Sequence, residues 1–256
     1  MKHLSIDIET FSDEIIKDTG LYKYAQSDSF EILLFAYSVD FGEVKLIDLA
    51  QGENVPGEII EALNNPNITK HAYNAPFEWY CLNRAGYKTS IDQWADTMFY
   101  GLYLGYPAGL ETIGKALNLP QDKQKLSTGK ALIKYFCTPC KPTKANGGRT
   151  RNLPEYDPEK WKLFREYCKQ DVVTETTIYK ILSRFEIVKQ EQKNWALDIE
   201  MNAKGILIDE DLIKSALWID KEIRSKLTKE AKEISGLSNP NSTSQPGRRN
   251  RSSRSL

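Results

Sequence analysis

Two acids stand two residues apart inside an otherwise apolar run, Leu4-Ser5-Ile6-Asp7-Ile8-Glu9-Thr10-Phe11. Leu4, Ile6 and Ile8 alternate with Ser5, Asp7 and Glu9, and a period of two puts one set on each face of a β-strand. Asp7 and Glu9 therefore project from the same face, close enough to share one divalent cation. Like charges at that separation raise each other's energy unless a cation or a proton lies between them. The pair asks for a metal, and the plain alternative is a half-exposed edge strand carrying two solvated acids.

The chain has 256 residues, 40% of them hydrophobic and 27% charged, enough for one sizeable domain with a smaller attachment. Its 35 basic and 35 acidic residues cancel, but Arg248, Arg249, Arg251 and Arg254 all fall in the last nine positions, leaving the body with 31 positive against 35 negative side chains. A nucleic-acid partner would then be held by metal ions and a few local Lys or Arg residues, in a salt-sensitive grip. No secretion signal and no long apolar run occurs, which reads as a cytoplasmic protein with no membrane partner. Cys137-Thr138-Pro139-Cys140 has the spacing of half a zinc site, yet His3 and His71, the only histidines, are not spaced as its partners. Cys81 and Cys168 could approach that pair of cysteines only by a coincidence of the fold, so unpaired thiols in a loop are the better expectation for Cys137 and Cys140.

Along the chain, residues 11–29 read as an irregular connection, 30–39 and 44–49 as strands joined by a turn at Asp40-Phe41-Gly42-Glu43, 56–63 as a helix and 68–72 as a short strand. Three strands in succession make an antiparallel start to a sheet. Helices follow at 75–84, 109–119 and 127–136, with an Asp96-Thr97-Met98 segment leading into an apolar stretch. Residues 138–154 hold three prolines, a Gly-Gly pair and Lys141, Lys144, Arg149 and Arg151. A mobile basic loop beside an acidic metal site is where a phosphate backbone would be steered, with a solvated surface loop as the alternative. Asp157 caps a long helix running to about Phe185, with Pro158 in its first turn. Two more helices are expected at 191–204 and 210–235, and the Ser, Asn, Pro, Gly and Arg-rich residues 236–256 as a disordered tail.

Two further segments offer carboxylates. Asn74-Ala75-Pro76-Phe77-Glu78 sets Glu78 in the first turn of a helix, where an acid also simply complements the positive helix end. In Tyr167-Cys168-Lys169-Gln170-Asp171, positions four apart share a helix face, so the Tyr167 hydroxyl and the Asp171 carboxylate can meet; a helical tyrosine in the core is the alternative. Together the three segments supply four carboxylates and one hydroxyl to one cleft. Such a set suits Mg²⁺ or Mn²⁺, and two ions about 3.5 to 4 Å apart can bracket a phosphodiester.

These three segments, Asp7-Ile8-Glu9-Thr10, Asn74 to Glu78 and Tyr167 to Asp171, resemble the motifs of the 3′-5′ exonuclease fold in its tyrosine-bearing, four-carboxylate class. More narrowly, residues 1 to about 190 are similar to the proofreading domain of bacteriophage-type family A DNA polymerases, in the relatives of bacterial DNA polymerase I. His71 to Asn74, Asp96-Thr97-Met98, the 109–117 helix, Gly129 to Phe136 with the following Cys137-Thr138-Pro139-Cys140, and the run from Gly147 to Pro154 agree with that likeness. The resemblance implies an α/β, ribonuclease H-like mixed sheet, three antiparallel strands followed by parallel strands, flanked by helices. It implies an exonuclease domain over 1–190, a helical linker and thumb-like segment over 191–235, and a chain that stops before the polymerase palm and has no polymerase activity. The one departure is Glu78, where the wider class has Asp, and its extra methylene implies a shifted or weakened second ion.

By the same resemblance Asp7 would bridge two Mg²⁺ or Mn²⁺ ions, Glu9 and Asp171 would complete the tighter site, and Glu78 would hold the second ion. Tyr167 would orient the attacking water, and Glu9 would accept from the terminal 3′ hydroxyl. Thr10, Asn74, Phe77 and Leu110 would line the substrate, and Phe11 would be a wedge or stacking surface, with core packing as its alternative. The implied substrate is single-stranded DNA or a frayed 3′ end, in a bacterial host cell for a phage or prophage product, with a separate polymerase protein as a further partner. An RNA or oligonucleotide exonuclease of the same fold, and a module that binds nucleic acid or a partner without cleaving it, remain the other readings.

Overall fold

The alternating run at residues 4–11 forms β1 (His3–Phe11), the central strand of a five-stranded sheet in a computed structural model that describes residues 1–123 and 129–242. Strand order is β3-β2-β1-β4-β5. β2 (Glu31–Val39) pairs antiparallel with β1, and β3 (Val44–Asp48) antiparallel with β2. The β2-β3 turn places Asp40 and Phe41 at positive φ, the conformation that matches the twist of a tight hairpin. β4 (Thr69–Ala72) and β5 (Trp94–Asp96) then extend the sheet in parallel on the far side of β1. The mixed sheet is thus as the sequence and its resemblance implied. β1 is no edge strand: covered on both faces, it buries Leu4, Ile6 and Ile8, each worth roughly 1.5 to 3 kcal/mol of transfer free energy.

Helices cover both faces. α1 (Ile16–Gln26) lies where the sequence suggested irregular chain. Gly20, at φ 78° and ψ 168°, breaks it into two short pieces, so no helical period survives long enough to be read. α2 (Gly57–Asn64) and α3 (Ala75–Arg84) follow, then α4 (Thr97–Tyr103), α5 (Leu110–Ala116) and α6 (Gly129–Phe136); Ser127, placed at the start of α6 by the sequence, is outside the described residues. α7 (Pro158–Leu182) is the long helix. Its N-terminus is capped by Asp157, which accepts from the Lys160 N–H at 3.1 Å, and Trp161 Nε1 ties it to the β3 carboxylate Asp48 at 2.8 Å. Trp161, Phe164, Tyr167, Cys168 and Val172 then pack with Leu33, Leu34, Ala36 and Phe136 in one buried cluster.

Two compact units emerge, one from Met1 to Lys204 and one beginning at Gly205. The first takes in α8 (Lys189–Lys204), residues assigned above mostly to a linker, because Trp195, Ala196 and Ile199 pack on the main core cluster. In the second, α9 (Glu210–Ser235) is capped by Asp209, which accepts from Leu212 N–H at 2.9 Å, and ends on Gly236 in the left-handed region. The tail is described only to residue 242, so the disorder expected beyond that point, and the four arginines there, lie outside the described residues. Among the described residues no helix is long and apolar enough to cross a membrane.

The loop expected to be mobile is knit together by Asn146. Its side-chain oxygen accepts from the Thr143 and Gly148 N–H groups at 2.8 and 3.1 Å, and its amide donates to the Lys141 and Arg149 carbonyls at 2.9 and 3.3 Å. Cys140 N–H donates to Thr150 O across its base at 2.7 Å. All four cysteines are free.

Candidate active site

β1 and α7 meet where their acids lie. Oxygen atoms of Asp7, Glu9 and Asp171 fall within 4.8 Å of one another, although 162 residues of sequence separate Glu9 from Asp171. Two buried thiols fix the strand at this point. Cys168 Sγ on α7 donates to the Asp7 carbonyl and Cys137 Sγ, just past α6, donates to Glu9 Oε2, both at 3.7 Å. Burial, and then the nearby Glu9 or Asp7 charge, pushes both thiols well above the ordinary range, so they are protonated donors and not thiolates.

Glu78 lines the same cleft from the first turn of α3 but stands outside the group of three. Asn74, in the left-handed region at φ 70°, turns the chain from β4 into α3, with Pro76 in the first turn. Glu78 Oε2 is buried with no hydrogen-bond partner among the described residues. Burial raises its carboxyl pKa well above the usual range, and the Asp7 charge raises it further. An orphaned buried carboxylate facing three others is relieved by a cation, and an all-oxygen set of this kind fits a hard divalent ion.

Tyr167 supplies the hydroxyl, which donates to Asp171. Its pKa is raised first by burial and then by Asp171, Glu9 and Asp7, so the group remains a proton donor. α6 passes directly over the ring, where Gly129 leaves no room for a Cβ.

The cleft has a volume of about 360 Å³. Thr10, Asn74 and Phe77 line it with Asp7, Glu9, Glu78, Tyr167 and Asp171. Thr10 is held by a 2.7 Å bond between its hydroxyl and that of Tyr24. Two sequence-derived candidates are elsewhere. Phe11 is 5% exposed, packs with Phe136 and Cys137, and carries the Arg151 guanidinium 3.9 Å over its ring, so no face is left on which a base could stack. Leu110 packs with Ile113, Ile178 and Leu182 in the core between α5 and α7, because α5 is short and spends its apolar face on that contact. Lining residues that the sequence did not single out are Ile16, Tyr24, Tyr73, Ile133 and Cys137. Tyr73 and Ile133 fall in stretches that agree with the family likeness but were given no role there, and the CxxC spacing of Cys137 pointed to a different chemistry.

Behind the cleft lie two more buried acids. Asp96 Oδ1 accepts from the Asn74 and Met98 N–H groups, both at 2.9 Å, tying the start of α3 to the start of α4; burial lifts its pKa to about 6. Glu175 accepts from the Thr97 hydroxyl at 2.5 Å, and burial lifts its carboxyl from 4.5 to about 7. A folded-state pKa above the unfolded one means that the native protein binds the proton more tightly. This contribution to stability is full below about pH 4.5 and is lost as pH rises to about 7. Glu175→Gln should therefore raise the unfolding free energy at pH 8 by about 3 kcal/mol, with the difference shrinking towards pH 5. Thermal melts of both proteins at the two pH values measure it, and a pH-independent difference would show that Glu175 does not carry the proton.

No protein-family model matches the chain. The DNA polymerase of Bacillus phage SP02 is 50% identical over 246 residues, which are 96% of this chain and 38% of the polymerase. The chain therefore spans well under half the length of that relative. Among solved structures, Trypanosoma brucei RNase D in complex with RNA U12 superposes with a TM-score of 0.50 at 16% identity, covering 81% of this chain and 66% of that one. Brucella melitensis NrnC bound to pGG gives 0.44 at 15% identity, over 80% of each chain. The fold is the ribonuclease H-like α/β fold that the chain shares with RNase D.

Proposed function

We propose that this chain, a homologue of part of a phage DNA polymerase, is a metal-dependent 3′-5′ exonuclease that releases nucleoside 5′-monophosphates from single-stranded or frayed DNA. The observation that carries the reading is the convergence of Asp7, Glu9 and Asp171 on one point, with Glu78 and Tyr167 in the same cleft. Asp7 would contribute to both of two Mg²⁺ or Mn²⁺ sites, Glu9 and Asp171 to one, and Glu78 to the other. When bound, the ions would supply Lewis-acid activation of water and neutralise charge on the leaving oxygen.

The chain's own groups set the remaining conditions. In the metal-free protein burial, and then Asp171, Glu9 and Asp7, keep the proton on Tyr167; its hydroxyl would hold the attacking water in line. Glu9 would take a hydrogen bond from the terminal 3′ hydroxyl. Thr10, Asn74 and Phe77 would line the last nucleotide, in a cleft whose about 360 Å³ suits an unstacked end better than a paired one. We assign this activity to residues 1 to about 190.

A 5′-labelled single-stranded DNA oligonucleotide incubated with Mg²⁺ or Mn²⁺ should shorten one nucleotide at a time, with mononucleotides released and EDTA stopping the reaction. Binding without shortening in either metal would overturn the enzyme and leave the binding module. RNA of the same sequence, run alongside, decides which polymer is preferred; faster shortening of RNA favours the oligonucleotide-exonuclease reading, which the RNA-bound relative of this fold keeps in view.

A further inference from the structure

From residue 123 to residue 154 the chain carries eight Lys or Arg residues and no Asp or Glu, leaving 27 basic against 35 acidic residues everywhere else. A uniform scatter of 35 acids would place about four in such a stretch, so the segment is an island of one sign in an acidic chain. The structure brings the part of this island from Gly129 onward to the cleft. α6 contributes Ile133, and the residue after it Cys137, to the lining that contains the four carboxylates. On α6, Lys130 and Lys134 are exposed and lie within one turn of Ile133.

The loop that follows is fixed to the carboxylate-bearing strand. Arg151 lies over the ring of Phe11, two residues past Glu9, and pairs with Glu31 on β2. Asn152 Nδ2 donates to the Tyr135 carbonyl on α6 at 2.9 Å, closing the loop back onto the helix. Asn146 organises the tip, so Lys141 and Lys144 stand exposed on an ordered support. Among the described residues none of Lys130, Lys134, Lys141 and Lys144 pairs with a carboxylate. Arg149 stacks on Tyr156 at 4.5 Å and bonds Asn152 through Nε, which orients its guanidinium without neutralising it.

We propose that α6 and the 138–153 loop form a phosphate-tracking rim, along which the backbone of a single-stranded nucleic acid runs as its 3′ end enters the carboxylate cleft. The inference rests on the exonuclease reading of that cleft. Its logic is electrostatic: a site of four acids in an acidic body repels phosphate, so productive binding needs fixed cations within about a Debye length, about 8 to 10 Å, of the entering strand. Exposed, unpaired lysines on a rigid support supply this without a desolvation penalty. Phosphate contacts hold the strand in register and carry no base preference, so the rim would serve DNA and RNA alike.

The test is equilibrium binding of fluorescent dT and rU oligonucleotides to the full chain in Ca²⁺, from 50 to 200 mM salt, with the exonuclease assay in Mg²⁺ run in parallel. Each phosphate contact on a single strand contributes about 0.7 to the slope of log K against log salt. Lys130→Glu combined with Lys141→Glu and Lys144→Glu should lower that slope by about 2, weaken binding at least tenfold at 50 mM salt, and raise KM more than it lowers kcat. Reversal of three exposed lysines outside the island, Lys45, Lys88 and Lys162, should leave the slope within about 0.5 of wild type. An unchanged slope in the first variant, or an equal loss in the second, overturns the rim. A wild type that never cleaves, while the triple variant still loses about 2 from the slope of its binding, overturns the exonuclease reading and leaves the rim standing.

Discussion

Asp7→Ala should eliminate nucleotide release, by about 10⁴-fold or more, and at the same time make the metal-free protein melt higher than wild type. The two effects have one origin. Asp7 belongs to the group of three whose oxygens approach within 4.8 Å, and its charge also raises the pKa of Glu78, Tyr167 and Cys168. Asp7 belongs to the group of three and is also the acid whose charge acts most on Glu78, so its removal takes a ligand from both proposed ion positions. A loss of 10⁴ corresponds to about 5.5 kcal/mol of transition-state stabilisation, within what a bound metal supplies as Lewis acid. Without metal the same carboxylate is a source of repulsion, and relieving about 1 kcal/mol should raise Tm by about 2 to 4 °C for a unit of this size.

Differential melting with and without Mn²⁺ separates this from a general defect. Wild type should gain stability as Mn²⁺ rises, since an ion that binds only the native state shifts the equilibrium by mass action. Asp7→Ala should start higher and gain little. A variant that melts below wild type without metal, or that still gains stability with Mn²⁺ as wild type does, would place the ion elsewhere. Residual activity above about 1% of wild type would remove Asp7 from the chemistry.

The legibility of this site in the sequence follows from the kind of signal each residue leaves. Asp7 and Glu9 were readable because a period of two is a backbone property, and β1 keeps it over residues 4–9. Phe11 belongs by that same count to the Asp7 face, and it lies there, in the cluster that also holds Tyr167, Cys168 and Cys137. The pairing of β1 with β2 slips between Glu9 and Thr10, where Glu9 faces Leu34 but Thr10 faces Ile32, so that Leu33 is the extra residue on β2. What the period could not show is that Leu33, Phe136 and the Arg151 guanidinium already cover the Phe11 ring. β5 has only three residues, too few to show any period. Its role emerges from Asp96, whose carboxylate joins α3 to α4 and whose meaning depends on a neighbour 22 residues away. Tyr167 and Asp171 were readable because four residues make a helix face. That the face meets β1 is a tertiary fact, fixed by Trp161 on Asp48 and by the stacked Phe136, Phe164 and Tyr167 rings.

In the sequence Gly129 is one residue of a helix expected at 127–136, with no role of its own, yet Gly129→Ala should be among the most damaging small substitutions in the chain. A Cβ built at Gly129 would lie 2.0 Å from Tyr167 Cε2, 2.5 Å from Cζ and 2.6 Å from Cδ2. These are ring atoms of a fully buried side chain, stacked nearly parallel on Phe164 with ring centroids 6.2 Å apart. The ring cannot slide away without carrying its hydroxyl off Asp171. Replacing Gly by Ala within a helix ordinarily stabilises it, by up to about 1 kcal/mol. Here overpacking should reverse the sign and lose about 1 to 3 kcal/mol. Exonuclease kcat should fall about 10- to 100-fold, as it does when a positioning group moves by an ångström or so, while the Mn²⁺-induced rise in Tm persists because Asp7 and Glu9 are untouched. A double-mutant cycle with Tyr167→Phe tests the route. The phenylalanine ring still collides with the new methyl, so stability should fall again. The hydroxyl is already gone, so activity should fall little further. Losses in kcat that instead multiply across the two substitutions would mean that Gly129 acts on the cleft by some path other than the tyrosine.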